Sequence, residues 1–147
     1  MHTSHTKNAR GFSLIELLIV VAIIGIIAAI AIPNYLRSRY AANAASAISS
    51  LRVVSSSESL FFNANGQYAD LSTLGSAGFV TDSDLTAGQK SGYQFALTLS
   101  PTPATTFTVV ATPVYSPANL RHFFVDPTGV IRFTVGASPT NTSQAVN

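Results

Sequence analysis

The chain contains no cysteine, which excludes a disulfide framework and leaves a metal site without thiolate ligands. Charge is scarce too: Asp, Glu, Lys and Arg make up 10% of the 147 residues, eight bases against six acids. The bases Lys90, Arg121 and Arg132 are too few and too scattered to form the clustered patch that nucleic acid requires. Gly-rich phosphate loops, a nucleophile elbow and paired carboxylates are all missing. No enzyme activity, cofactor or metal is therefore expected. The pair Asp82 and Asp84 lacks the spaced acids and glycine of a calcium loop and reads as a solvated turn.

What the sequence has in quantity is apolar length. Residues 17–32 hold nothing polar, and one carboxylate, Glu16, stands directly before them. As a helix rising about 1.5 Å per residue, residues 12–33 extend roughly 33 Å, the thickness of a bilayer core. A carboxylate on such a segment costs up to about 3 kcal/mol, less near the interface, so Glu16 needs a partner. No base lies within the segment. Glu16 either reaches the headgroups or pairs with another chain. Lys7 and Arg10 before the span are balanced by Arg37 and Arg39 after it, so the positive-inside rule alone leaves orientation undecided.

Lys7 and Arg10 in a short polar leader, then Gly11, Phe12, Glu16, Gly25 and Pro33 follow one another in a fixed order around this run. Over about the first third of the chain the pattern resembles the type IV prepilin family. The resemblance implies that residues 1–11 are a leader cut between Gly11 and Phe12 by a prepilin peptidase on the cytoplasmic side, and that the new Phe12 amine is methylated. It also implies that Glu16 pairs with the Phe12 ammonium of a neighbour in a helical homopolymer raised by an inner-membrane assembly platform. The precursor would cross the inner membrane once, and the product would be an extracellular pilus serving adhesion, motility or DNA uptake. A type II secretion pseudopilin is the alternative, although residues 123–129 do not resemble its calcium-binding loop. A minor pilin with an adhesive or DNA-binding role is a further one. Many pilins close a C-terminal loop with a disulfide, and this chain departs from them.

Loss of the leader would remove Lys7 and Arg10, leaving six bases against six acids, a near-neutral balance that favours self-association. It would also leave His122 as the sole histidine, with no second ligand for a metal. Two plainer readings stand beside this one. A secretory signal cut after Ala31 would leave Ile32 at the N-terminus, and a signal anchor would stay uncleaved. Against the first, the run is longer than the usual apolar region of a signal and carries Glu16.

The body reads as α+β. Past Pro33, the residues Tyr40, Ala44, Ala47, Ile48, Leu51, Val54 and Phe61 or Phe62 recur at spacings of three and four, one apolar helical face. Arg37, Asn43, Ser46, Ser50 and Ser57 are assigned to the other faces. The spacing predicts one helix over 12–62, with 12–33 as membrane span and filament core. Gly25 and Pro33 mark its weakest stretch, the part most prone to lose helicity on entering a polymer. Residues 63–92 read as a connecting loop with a helical turn near Asp70. Alternating apolar residues within 93–136 predict an antiparallel sheet of three to four strands, packed on the second half of the helix. The tail, 137–147, has no packing pattern and is expected to be flexible.

Overall fold

The computed structural model describes residues 11–115 and 120–146. Positions 1–10, which include Lys7 and Arg10, lie outside the described residues, as do 116–119 and 147. The chain divides into two units, the first ending at Ser38 and the second beginning at Arg39.

A single helix, α1, runs over Leu14–Asn65 with Pro33 inside it. In the first unit it exposes its apolar residues all round. In the second unit it is two-faced: Ala47, Ser50, Leu51, Val54, Ser57, Glu58 and Phe61 are buried, while Arg52, Val53, Ser56 and Leu60 are exposed. The apolar stripe is the expected one, but Ser50 and Ser57 lie on it rather than opposite. The reason for Ser57 is a hydrogen bond, its Oγ donating to the carbonyl of Phe79 at 2.8 Å, which holds the following segment to the helix. At the C-terminal end the Gly66 N–H reaches the Phe62 carbonyl at 2.7 Å, and Gly66 takes φ +73°, a conformation glycine adopts without strain.

The connection after α1 holds more structure than a loop with one turn. Helix α2 covers Leu71–Ser76 and α3 covers Ser83–Thr86; Asp70 caps the first through the Thr73 N–H at 2.7 Å, and Asp82 caps the second through Leu85 N–H at 3.0 Å. The sheet is a meander in chain order, every neighbour antiparallel: β1 Gln89–Lys90, β2 Tyr93–Ser100, β3 Thr106–Pro113, β4 Arg121–Val125, β5 Arg132–Val135 and β6 Gln144–Ala145. It thus has six strands instead of three or four. The two extra strands are two-residue edges, too short for any alternation to register in sequence.

Strand β6 also corrects the expectation of a flexible tail. Gln144 and Ala145 pair with Phe133 and Arg132, the Val146 N–H donates to the Ile131 carbonyl at 2.8 Å, and Val146 packs on the core. An edge strand such as β5 presents unpaired backbone groups, and the tail satisfies them.

Tyr93, Phe95, Phe107, Val109, Ala111, Phe123 and Val125 alternate inward from β2 to β4 onto Leu51 and Val54 of α1. The pairings Phe95↔Ala111 and Ala111↔Phe123 set large residues against a small one across the inner face. Between β4 and β5 the Gly129 N–H closes a turn on the Asp126 carbonyl at 2.9 Å, as the Asp-Pro-Thr-Gly spacing requires.

Candidate functional site

The first candidate site is the beginning of α1 and the apolar surface that follows. Gly11, Phe12 and Ser13 precede the helix and are exposed, so the Gly11–Phe12 peptide bond is in open, non-helical chain. Ser13 occupies the N-cap position, and three residues on Glu16 turns back: its Oε2 accepts the Ser13 backbone N–H at 2.9 Å. This is one arm of a capping box, and it satisfies one of the four donors that every helix start leaves open. The negative charge also lies at the positive end of the helix dipole, an arrangement worth about 0.3–1 kcal/mol. Glu16 therefore has a partner within its own chain, besides the two sought from the sequence. The Ser-x-x-Glu spacing was the available signal.

Beyond it, Phe12 and every Leu, Ile and Val from 14 to 32 are exposed, with fractional exposures from 46% to 79%. Burying a large apolar side chain is worth about 1.5–3 kcal/mol, so covering these residues gains on the order of 20–40 kcal/mol. A surface of that size is stable only in lipid or against other protein. The helix is long and apolar enough to cross a membrane, with an 18-residue window at mean hydropathy 3.1. Gly25 and Pro33 both lie within continuous helix, and a Cβ built on Gly25 would meet nothing within 4 Å.

A second acidic residue was not singled out in the sequence. Glu58 is fully buried on the inner face of α1, where its Oε2 accepts the Ala69 N–H at 3.0 Å and its Oε1 has no hydrogen-bond partner. Burial, with a smaller contribution from the nearby Asp70 charge, outweighs the Ala69 hydrogen bond and raises its pKa to about 7. The signal available was an acid in register with Leu51, Val54 and Phe61.

The other titratable groups serve local structure. Asp82 caps α3 and pairs with Lys90 at 2.6 Å, and the Lys90 hydrogen bond, followed by that from Leu85, holds its carboxyl below the ordinary range. His122 is half-buried on β4 with its pKa lowered by burial, while Arg121 lies 4.7 Å from the ring centre of Phe133. Two open grooves in the second unit, about 410 and 580 Å³, each contain one charged side chain, Arg121 and Asp126 respectively. No group of three potential metal ligands occurs among the described residues.

Comparison with known proteins places similarity in the same region. The family described as "Prokaryotic N-terminal methylation motif" matches residues 6–32. The chain is 46% identical over 61 residues to the type IV major pilin protein PilA of Myxococcus xanthus, covering 42% of this chain and 28% of that protein. It is 65% identical over 37 residues to the type IV wide pilus major component PilA4 of Thermus thermophilus, covering 25% and 28%. With a fimbrial protein of Pseudomonas aeruginosa it shares 76% identity over 29 residues, 20% of this chain and 19% of the other. The matches thus span less than a third of each curated relative. No solved structure matches the chain.

Proposed function

We propose, from the premise that this chain belongs to the type IV pilin family, that it is a structural subunit polymerising through α1 into an extracellular pilus. The observation that carries the reading is the unpartnered apolar surface of residues 12–32, headed by a carboxylate at the helix start. A prepilin peptidase hydrolyses the exposed Gly11–Phe12 bond. The precursor amide carries no charge; hydrolysis by water releases Gly11 as a carboxylate and leaves the Phe12 amine, which as the free base takes a methyl group from a methyl donor and is then protonated. That creates the cation that the apolar segment lacks.

Glu16 is suited to receive it. One carboxylate oxygen holds the Ser13 N–H, and the other has acceptor capacity for the Phe12 ammonium of a neighbouring subunit. In an apolar surround such a pair selects the axial register, because any other register leaves a charge buried without a partner. The inner membrane holds the subunit before assembly, and an assembly platform there lifts it out. Gly25 and Pro33 supply a stretch of weak helix that can extend within the filament.

The test has two readouts on the full-length protein in its host. Mass spectrometry of the mature N-terminus gives methylated Phe12 if the reading is right, and Ile32 or an uncleaved chain if it is wrong. For Glu16→Gln, normal processing with surface filaments lost or sparse in electron micrographs is expected; normal piliation overturns the pairing.

A further inference from the structure

Three segments of the head meet at one carboxyl group. Helix α1 supplies Glu58; the stretch between α1 and α2 supplies Ala69, whose N–H binds Glu58 Oε2 at 3.0 Å; and its neighbour Tyr68 donates its own N–H to the Ala104 carbonyl between β2 and β3 at 2.9 Å. The Tyr68 ring packs between Phe62 and Phe107, with centroid distances of 4.6 and 4.8 Å. Glu58 is thus the polar tie between the helix and a segment that is itself tied to the sheet.

That tie has an unsatisfied side. The site is fully buried, one donor faces two carboxylate oxygens, and Oε1 has no partner. A neutral carboxyl leaves one hydroxyl unpaired there, a smaller cost than a buried charge. The charge acting on Glu58 from the element packed against it is Asp70, at the N-cap of α2, another acid. No cation among the described residues opposes it: Lys90 is engaged with Asp82, and Arg52 on α1 itself is exposed and six positions away on another face. Ionisation in place strengthens the Ala69 bond, but that one donor does not offset burial, so the charged carboxyl gains by moving towards water at the expense of the bond. The Ser57 bond to Phe79 and the contact of the Phe61 and Phe79 rings at 5.4 Å do not titrate, so the far end of the segment stays in place.

We propose that Glu58 is a proton-operated latch: as a neutral carboxyl it closes the Ala69 backbone onto α1, and on ionisation it releases that backbone while the Tyr68 ring and the Phe79 end remain fixed. The device belongs to the head and is independent of polymerisation through Glu16. Alkaline conditions loosen one defined patch of the subunit surface, and acid conditions close it.

Two measurements on the full-length chain in detergent micelles test it. Carbon-13 NMR of the Glu58 carboxyl, in wild-type protein, should show a titration midpoint near neutrality; a midpoint in the ordinary glutamate range overturns the latch without recourse to any variant. Amide hydrogen exchange at Ala69, corrected for intrinsic rate, should lose protection by at least about tenfold between pH 5.5 and 8.5, while Phe79 and Val109 hold theirs. Glu58→Gln, which keeps the acceptor and cannot ionise, should hold Ala69 protected throughout. Unchanged protection in wild type, or the same loss in the glutamine variant, refutes the proposal.

Discussion

Raising the pH from 4 to 8 should weaken the head by way of Glu58, and the sign follows from where the protons sit. In the unfolded chain Glu58 ionises near its ordinary 4.5; in the folded chain it holds its proton to about 7. Between those values the folded state binds more protons than the unfolded one, so stability is full below about 4.5, falls as pH rises, and levels off above about 7. At 1.36 kcal/mol for each tenfold change in proton affinity, the loss has a ceiling of about 3 kcal/mol. Other groups bend the raw profile the opposite way. His122, whose pKa is lowered by burial, withdraws stability as pH falls below its ordinary 6.5, and Asp70 and Asp82, both lowered by hydrogen bonds, do so below 3.8. The quantity to measure is therefore the difference between wild type and Glu58→Gln, in which these contributions cancel. Urea unfolding of both chains in micelles, followed by the near-ultraviolet dichroism of the tyrosines, gives it directly. The glutamine variant should gain on wild type steadily between pH 4.5 and 7. A difference constant to within about 0.5 kcal/mol over that range would mean that the buried carboxyl is solvated by a route absent from the geometry.

Phe107→Ala empties the position under Tyr68 at the centre of the sheet, where Phe107 is 1% exposed; urea unfolding in micelles should show a loss of about 3–5 kcal/mol. Gly25→Ala should leave the isolated subunit intact, because the added methyl meets nothing within 4 Å, and helix content in micelles by circular dichroism should hold or rise, alanine being favoured by about 1 kcal/mol. Any defect of that variant should be confined to filament formation, scored by electron microscopy.

What sequence reasoning could reach was set by periodicity. The stripe Ala47, Leu51, Val54 and Phe61 and the alternation through Phe95, Phe107, Val109 and Phe123 are long enough to reveal a period, and each is buried as its period required. Strands β1 and β6 are two residues each, too short for an alternation to register, so no local pattern announces them. Ser57 was misplaced for a related cause: polarity suggested an outer face, whereas its role is set by the Phe79 carbonyl 22 residues on. Glu58 escaped notice because a glutamate on a helix is ordinarily solvated, and only tertiary packing makes it otherwise. At the start of α1 the order of Gly11, Phe12 and Glu16 was plain, and the missing part was the bond to the Ser13 N–H, visible only once the N-cap is fixed.

A division of labour along α1 follows from which residues the single chain accounts for. From Ala47 to Phe61 the buried positions have neighbours that explain them, except Ser50, whose Oγ has no hydrogen-bond partner. From Phe12 to Ile32 none does: the apolar side chains face outward, and Gly25 has room for a methyl group that the helix itself would favour. A bilayer explains the apolar side chains, since lipid accepts Leu, Ile and Val in any order. It does not explain Gly25, because lipid tails do not require the absence of a Cβ. Close approach of a second helix would, since small residues let backbones come together where apolar side chains alone give no preference. If Gly25→Ala proves neutral to the subunit and damaging to the filament, the glycine serves the assembled state, through a helix–helix contact or the loss of helicity proposed above; if it is neutral to both, neither role holds and the membrane accounts for the apolar side chains alone.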